Sequence, residues 1–176
     1  MNLNRFLKDK KKGILKKWRE DILEAYPAES KKFLKRQSNR FANPVGHSIF
    51  EKTEKLYDEI IRDGNTDIEK IKEILDEFIR IRAIQDFSPS QAVGFLHMLK
   101  NVIRHEVEGK IENNDLFKDF IIFNNKIDEI TYIAFDMYTE CREKLFEMKA
   151  AQARNQVSGL LRKADLISEI PEWNSR

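Results

Sequence analysis

Arg80-Ile81-Arg82-Ala83-Ile84-Gln85-Asp86-Phe87-Ser88-Pro89-Ser90-Gln91-Ala92-Val93-Gly94-Phe95 joins two helices, and its turn can be read residue by residue. Ser88 suits a helix N-cap, because its hydroxyl can accept a hydrogen bond from an amide of the first turn. Pro89 then takes the first helical position, where a missing N–H costs nothing. Gln91, at the third position, reaches back toward the Ser88 amide and closes a capping box, while Phe87 and Ala92 fill the two places of a hydrophobic staple. So many agreeing signals specify a sharp joint between two helices. The run contains no nucleophile, general base or set of metal ligands.

The same punctuation recurs on either side of this joint. Thr66-Asp67-Ile68-Glu69 reads as a second capping box, opening a helix that runs to about Gln85 with Ile68, Ile71, Ile74, Leu75, Phe78, Ile79 and Ile81 as its apolar set. The helix from Pro89 to about Glu108 presents Ala92, Phe95, Leu96, Leu99 and Ile103, and Gly109 ends it. In Phe41-Ala42-Asn43-Pro44-Val45-Gly46, Asn43 caps and Pro44 starts a helix carrying Ile49, Leu56, Ile60 and Ile61 to Arg62 or Asp63; Gly64 then supplies a left-handed C′ position. The stretch from about Asn4 to Tyr26 places Leu7, Ile14 or Leu15, Trp18, Ile22 and Ala25 on one face and stops at Pro27. A short basic helix from about Ala28 to Arg36 follows.

The longest element is expected from about Asn114 to Met148 or beyond. Leu116, Phe120, Phe123, Ile127, Ile130, Ala134, Met137 and Cys141 alternate spacings of four and three, an a/d heptad seam that Leu145 and Met148 continue after one slip. A helix of that length spans on the order of 50 Å, more than a small domain needs. Its far half is therefore expected to project, or to pair with a second copy through Ile127, Ile130, Ala134, Met137 and Cys141. Beyond Lys149 the chain turns polar, and Val157, Leu160 and Leu161 outline a short final helix at most. The expected architecture is all-α: one helical bundle of about five to seven helices over residues 1–150, with a globin-like arrangement among the options and one long C-terminal helix. Residues 151–176 are expected as a polar tail, as a short helix or loose.

Composition agrees with this architecture. The chain has 176 residues, 41% hydrophobic and 35% charged, which places it among globular single domains rather than disordered chains. Only 6 Gly and 4 Pro leave little material for the many turns of a β fold. A net charge of +2 conceals an asymmetry, since residues 1–40 carry a local +8 and residues 41–148 a local −8. The basic face of Lys10-Lys11-Lys12 and Lys16-Lys17 reads as solvated and partly neutralised by the acidic body, and nucleic acid is not an expected partner. One cysteine excludes an intramolecular disulfide, and no stretch has the length or apolarity of a signal peptide or transmembrane segment. A cytoplasmic protein is expected.

Reactive groups are few. Phosphate-binding glycine loops, Cys/His metal spacing and nucleophile-elbow motifs are all missing. Among His47, His97 and His105, His97 adjoins the face of Leu96 and Leu99 and has the position of a haem ligand, although a lone helical histidine is ordinarily a core-edge residue. No histidine follows a glutamate by three positions, so the di-iron pattern is absent. The carboxylates at Asp58 and Glu59, at Glu73, Asp76 and Glu77, and at Asp128 and Glu129 read as exposed helix faces. No catalytic residue and no cofactor is assigned. Arg80, Arg82, Gln85 and Asp86 differ, because they gather at the end of an apolar helix beside the capped turn. Either an arginine pairs with Asp86 and complements the helix terminus, giving a rigid corner, or the group recognises a small anion or a partner carboxylate. Trp18 and Tyr26, eight apart on one helix, read as core or as part of a ligand cage.

Trp18…Tyr26-Pro27, then Phe41-x-Asn43-Pro44-Val45-Gly46, then the run Arg80 to Phe95 resemble the RsbRD N-terminal domain family, named for the RsbT co-antagonist proteins of bacterial stress signalling. The resemblance implies an all-helical input module that acts through a protein partner, such as a signalling kinase. Short stand-alone relatives resemble DsrT-type proteins that accompany electron-transfer complexes of sulfur metabolism, which makes a redox-complex subunit the alternative partner. A ligand or haem sensor with a pocket between helices is a third reading. No STAS domain or kinase core accompanies the helical region in these 176 residues.

Overall fold

A computed structural model describes residues 3–35, 41–62, 64, 66–108 and 114–163. Among them are six α-helices and no strand: α1 (Leu3–Glu24), α2 (Ala28–Leu34), α3 (Pro44–Ile60), α4 (Ile68–Ile84), α5 (Pro89–Val107) and α6 (Asn114–Lys163). The protein is an all-α bundle with one very long C-terminal helix, as its apolar periodicity implies. Helix α6 lies along α4 and α5; α1 packs on the other side of α5, and α3 fills the space between α1 and α4. The core runs through all of them, from Leu7, Ile14, Trp18 and Ile22 of α1 to Ile127, Ile130 and Ala134 of α6.

Local chemistry sets the ends of these helices. The α5 capping box forms in full: Ser88 Oγ accepts the Gln91 amide, Gln91 Oε1 accepts the Ser88 amide at 3.0 Å, and Pro89 starts the helix. At α4 the cap sits one residue later than the pattern implied. Asp67, not Thr66, accepts the Lys70 amide, at 3.1 Å; a carboxylate is the stronger acceptor against the positive end of a helix. Gly64 has the expected positive φ, 96°, but α3 has already ended at Ile60. On α1 both Ile14 and Leu15 are buried while Ala25 is exposed, because the helix stops at Glu24 before reaching it. Ile68 at the first turn of α4 is likewise exposed.

The Asn43 joint does more than start a helix. Asn43 is fully buried, and its Oδ1 accepts the Gly46 amide at 2.9 Å. Its Nδ2 donates to the carbonyls of Phe33 and Leu34 at the end of α2, at 3.0 and 3.3 Å. One side chain therefore caps the end of one helix and the start of the next. Gly46 is required by proximity, since a Cβ there would lie 2.5 Å from the Leu34 carbonyl oxygen.

Helix α6 covers about 75 Å at 1.5 Å per residue. It does not stop near Met148 but runs on through the polar stretch and Gly159 to Lys163. Leu145 is its last side chain packed against the core. No helix among the described residues is long and apolar enough to cross a membrane.

Replacing Asn43 with Ala should cost about 2 kcal/mol, combining the lost N-cap with unsatisfied carbonyls at the α2 terminus. Asn43→Asp should be no better, since it keeps the acceptor for Gly46 but turns a carboxylate oxygen toward two carbonyls. Urea unfolding of the two variants beside the wild type measures both.

Candidate functional site

The α4–α5 corner is made by the backbone first. Helix α4 closes in a Schellman-type cap, with the Phe87 amide donating to the Arg82 carbonyl at 3.3 Å, Gln85 as C-cap, and Asp86 next at φ 56°. That left-handed position favours glycine, and aspartate is among the few side chains that tolerate it.

Inside this corner Arg82 turns inward and is 1% exposed. Its guanidinium carbon lies 4.5 Å from the ring centre of Phe78, 5.0 Å from Phe87 and 5.2 Å from Phe95. Nη1 donates to the Gln91 carbonyl at 2.9 Å and to that of Ala92 at 3.5 Å. Nε and Nη2 are buried with no hydrogen-bond partner. Desolvation brings the guanidinium pKa down to about 10, so it stays charged at neutral pH.

Tyr26 closes the corner from the α1–α2 turn. Its ring meets Phe87 edge-on at 5.3 Å, and its hydroxyl donates to Gln85 Oε1 at 3.4 Å. Burial pushes the Tyr26 phenol up, against the opposing pull of the Arg82 charge. Outside these side chains lies a cleft of about 330 Å³ lined by Tyr26, Pro27, Ser30, Gln85, Phe87 and Gln91, among others. Trp18 braces the corner from behind: fully buried, it donates from Nε1 to the Phe95 carbonyl at 2.6 Å and stacks on Phe95 at 6.3 Å. It is core rather than a wall of the cleft. Tyr26 is not on α1 with it, because that helix has ended.

The family model for the RsbT co-antagonist protein rsbRD N-terminal domain matches residues 12–153, most of the chain and both capped joints. The chain belongs to this family. It is also similar to an uncharacterized protein of Archaeoglobus fulgidus, 25% identical over 107 residues, 60% of this chain and 62% of the relative. The chain thus spans about six tenths of that relative's length. No solved structure matches.

In this RsbRD N-terminal domain the four polar residues of the corner separate. Arg82, Gln85 and Asp86 stay together with Tyr26, but Arg80 points away, exposed and bonded to Asp76 at 2.9 Å. Two residues along a helix are about 200° of rotation, so neighbours in sequence face opposite sides. Asp86 pairs with neither local arginine. Its partner is Arg142 of α6, at 2.6 Å, and Arg142 also donates to the Ala83 carbonyl at 3.0 Å. Tyr138, one turn earlier on α6, donates its hydroxyl to the Phe87 carbonyl. No local signal marks Arg142 or Tyr138, because both act across the bundle.

The expected interface residues divide as well. Ile127, Ile130 and Ala134 are fully buried in the chain's own core and cannot face a second copy. A heptad seam reports a buried stripe without saying which helix covers it, and here α4 and α5 cover it. Met137 and Cys141 are half-buried in a groove of about 430 Å³ between α4 and α6, with Arg80, Ile84, Leu145 and Met148. His97 is exposed, turned off the Leu96–Leu99 face, and no cluster of three or more metal-ligating side chains exists among the described residues. On α1, Lys11 pairs with Glu54 and Asp58, and Lys17 with Glu106. The basic helix is partly neutralised by the acidic body.

Arg142 holds the Asp86 carboxyl below the usual carboxylate range by hydrogen bond and charge. A folded-state pKa below the unfolded one gives stability that is present above the ordinary aspartate range and lost as pH falls through the folded value. The wild type should therefore be more stable than Asp86→Asn at neutral pH, with the difference shrinking as the pH falls through the folded-state titration of Asp86. Paired urea melts across that range test it.

Proposed function

We propose that this domain is a non-enzymatic regulatory module of a signalling system, acting through protein contacts along α6. Its family is a regulatory, signalling one, and the reading about α6 rests on one observation. Beyond Leu145 the helix leaves the bundle, yet Phe146, Met148, Val157 and Leu160 remain more than half exposed on it. An unsupported helix of some 18 residues is marginal in water, and exposed apolar side chains on it gain by packing against a partner. The α4–α6 groove continues the same surface onto the body, where Ile84 is 67% exposed beside Met137 and Cys141. The partner class that fits is a protein offering an apolar helix or groove.

The double variant Ile84→Glu/Met148→Glu tests this without touching the core. It should keep the wild-type thermal midpoint within a few degrees, since surface changes usually cost within about 0.5 kcal/mol. It should also lose the protein that the wild type retains when tagged and cross-linked in a native extract. Mass spectrometry of the retained band distinguishes a signalling kinase from a redox-complex subunit. Equal recovery with both chains would remove this surface from the function.

A further inference from the structure

We propose that Arg82 anchors a binding site for a small free carboxylic acid, which enters through the cleft between Tyr26, Gln85 and Gln91. The proposal goes beyond protein contact along α6 and stands independently of it.

The guanidinium has more donors than the fold uses. Nη1 is occupied by the Gln91 and Ala92 carbonyls, whereas Nε and Nη2 are buried and unpartnered. These two orphaned groups form one edge of the guanidinium plane, the pair of parallel N–H vectors that matches the two oxygens of a carboxylate. The nearby acids do not serve it: Asp76 is bonded to Arg80 and Asp86 to Arg142. The rings of Phe78, Phe87 and Phe95 attract the cation but offer no acceptor in its plane. A charge buried without a counter-ion is strongly unfavourable, and supplying the counter-ion relieves that penalty.

The surroundings select the ligand. Phe87 and Gln91 touch Arg82 and also line the cleft of about 330 Å³, so one layer of side chains separates the cleft from the guanidinium. Tyr26 lines the cleft as well and lies close enough to feel the Arg82 charge, and its hydroxyl donates to Gln85, an exposed side chain, at 3.4 Å. Rotation of Tyr26 would open the way and free its hydroxyl to donate to the bound acid. An apolar aromatic wall around a single cation suits a monoanion with a hydrocarbon body better than a multiply charged phosphate. A cleft of about 330 Å³ has room for a small acid with a hydrocarbon body.

The test uses the full chain carrying Trp173→Phe, which leaves Trp18, stacked on Phe95, as the only tryptophan reporter. Acetate and cyclohexanecarboxylate are titrated to about 50 mM at constant ionic strength, a range suited to weak small-acid binding. Cyclohexanecarboxamide serves as the uncharged control. The proposal expects a saturable fluorescence change and a raised melting temperature with the acids, tighter for cyclohexanecarboxylate, and none with the amide. Arg82→Met should abolish the response, with circular dichroism checking that the variant stays helical. Arg82→Lys, lacking the two-donor edge, should bind at least about tenfold more weakly. In the unsubstituted chain, the Arg82 Nε–H resonance in a ¹⁵N spectrum should move on adding the acid. Absence of saturable binding, an equal response to the amide, an unchanged response in Arg82→Met, or an unmoved Nε–H signal would each overturn the site.

Discussion

A charged guanidinium held among three phenylalanine rings sets the terms for the centre of this bundle. Arg82 lies on the last turns of α4, Phe78 one turn before it, Phe87 in the joint and Phe95 on α5. Its Nη1 bonds to two carbonyls in the first turn of α5. The direction in which α5 leaves the corner is thus tied to a side chain of α4, and Trp18 ties α1 to the same place through the Phe95 carbonyl. Three helices converge on one cation. Removing its charge while keeping its bulk would spare most of the packing, because the aromatic contacts are largely apolar.

The sixth helix holds the corner from the outside. Tyr138 and Arg142 lie one turn apart on α6, and their hydrogen bonds reach the carbonyls of Phe87 and Ala83 and the carboxylate of Asp86. Asp86 has the backbone conformation least comfortable for a side chain in this chain, the only positive φ at a non-glycine among the described residues. Arg142 gives that position a reason to be aspartate. A glycine would relax the backbone but leave the guanidinium of α6 without its carboxylate, so backbone ease has been exchanged for an anchor between α6 and the corner.

Much of the fold could be read from the sequence because its information is local. Ser88-Pro89-Ser90-Gln91 and Asn43-Pro44 carry their geometry in three or four residues, and the heptad spacing from Leu116 onward announces a long buried stripe. What escaped was decided by distance. Periodicity cannot tell a neighbour in the same chain from one in another, so the seam leaves pairing with a second copy open, and α4 and α5 cover Ile127, Ile130 and Ala134. Arg80 and Arg82 look like one cluster in one dimension and face apart on the helix. The partner of Asp86 lies 56 positions away in sequence. Helix α6 is expected to run to Met148 or beyond, and the Ala, Gln, Arg and Lys residues that follow, good helix formers, help carry it through Gly159 to Lys163.

These contacts place the corner and α6 on one mechanical path. A displacement of Phe87 or Asp86 moves the atoms to which Tyr138 and Arg142 are bonded, and α6 is continuous from those residues to its exposed end. Where a partner packs on the free half and holds it helical, a small rotation at the packed half becomes a larger lateral shift there, growing with distance from the pivot. Rigid continuity transmits such a shift but does not create two states; a switch requires two arrangements of the corner with different affinities for whatever it binds. On the corner, the side of Arg82 whose donors are unpaired is where a bound group would add contacts that the fold does not supply. A change in what satisfies that guanidinium would act on the residues that Tyr138 and Arg142 hold, and α6 is the element bonded to them.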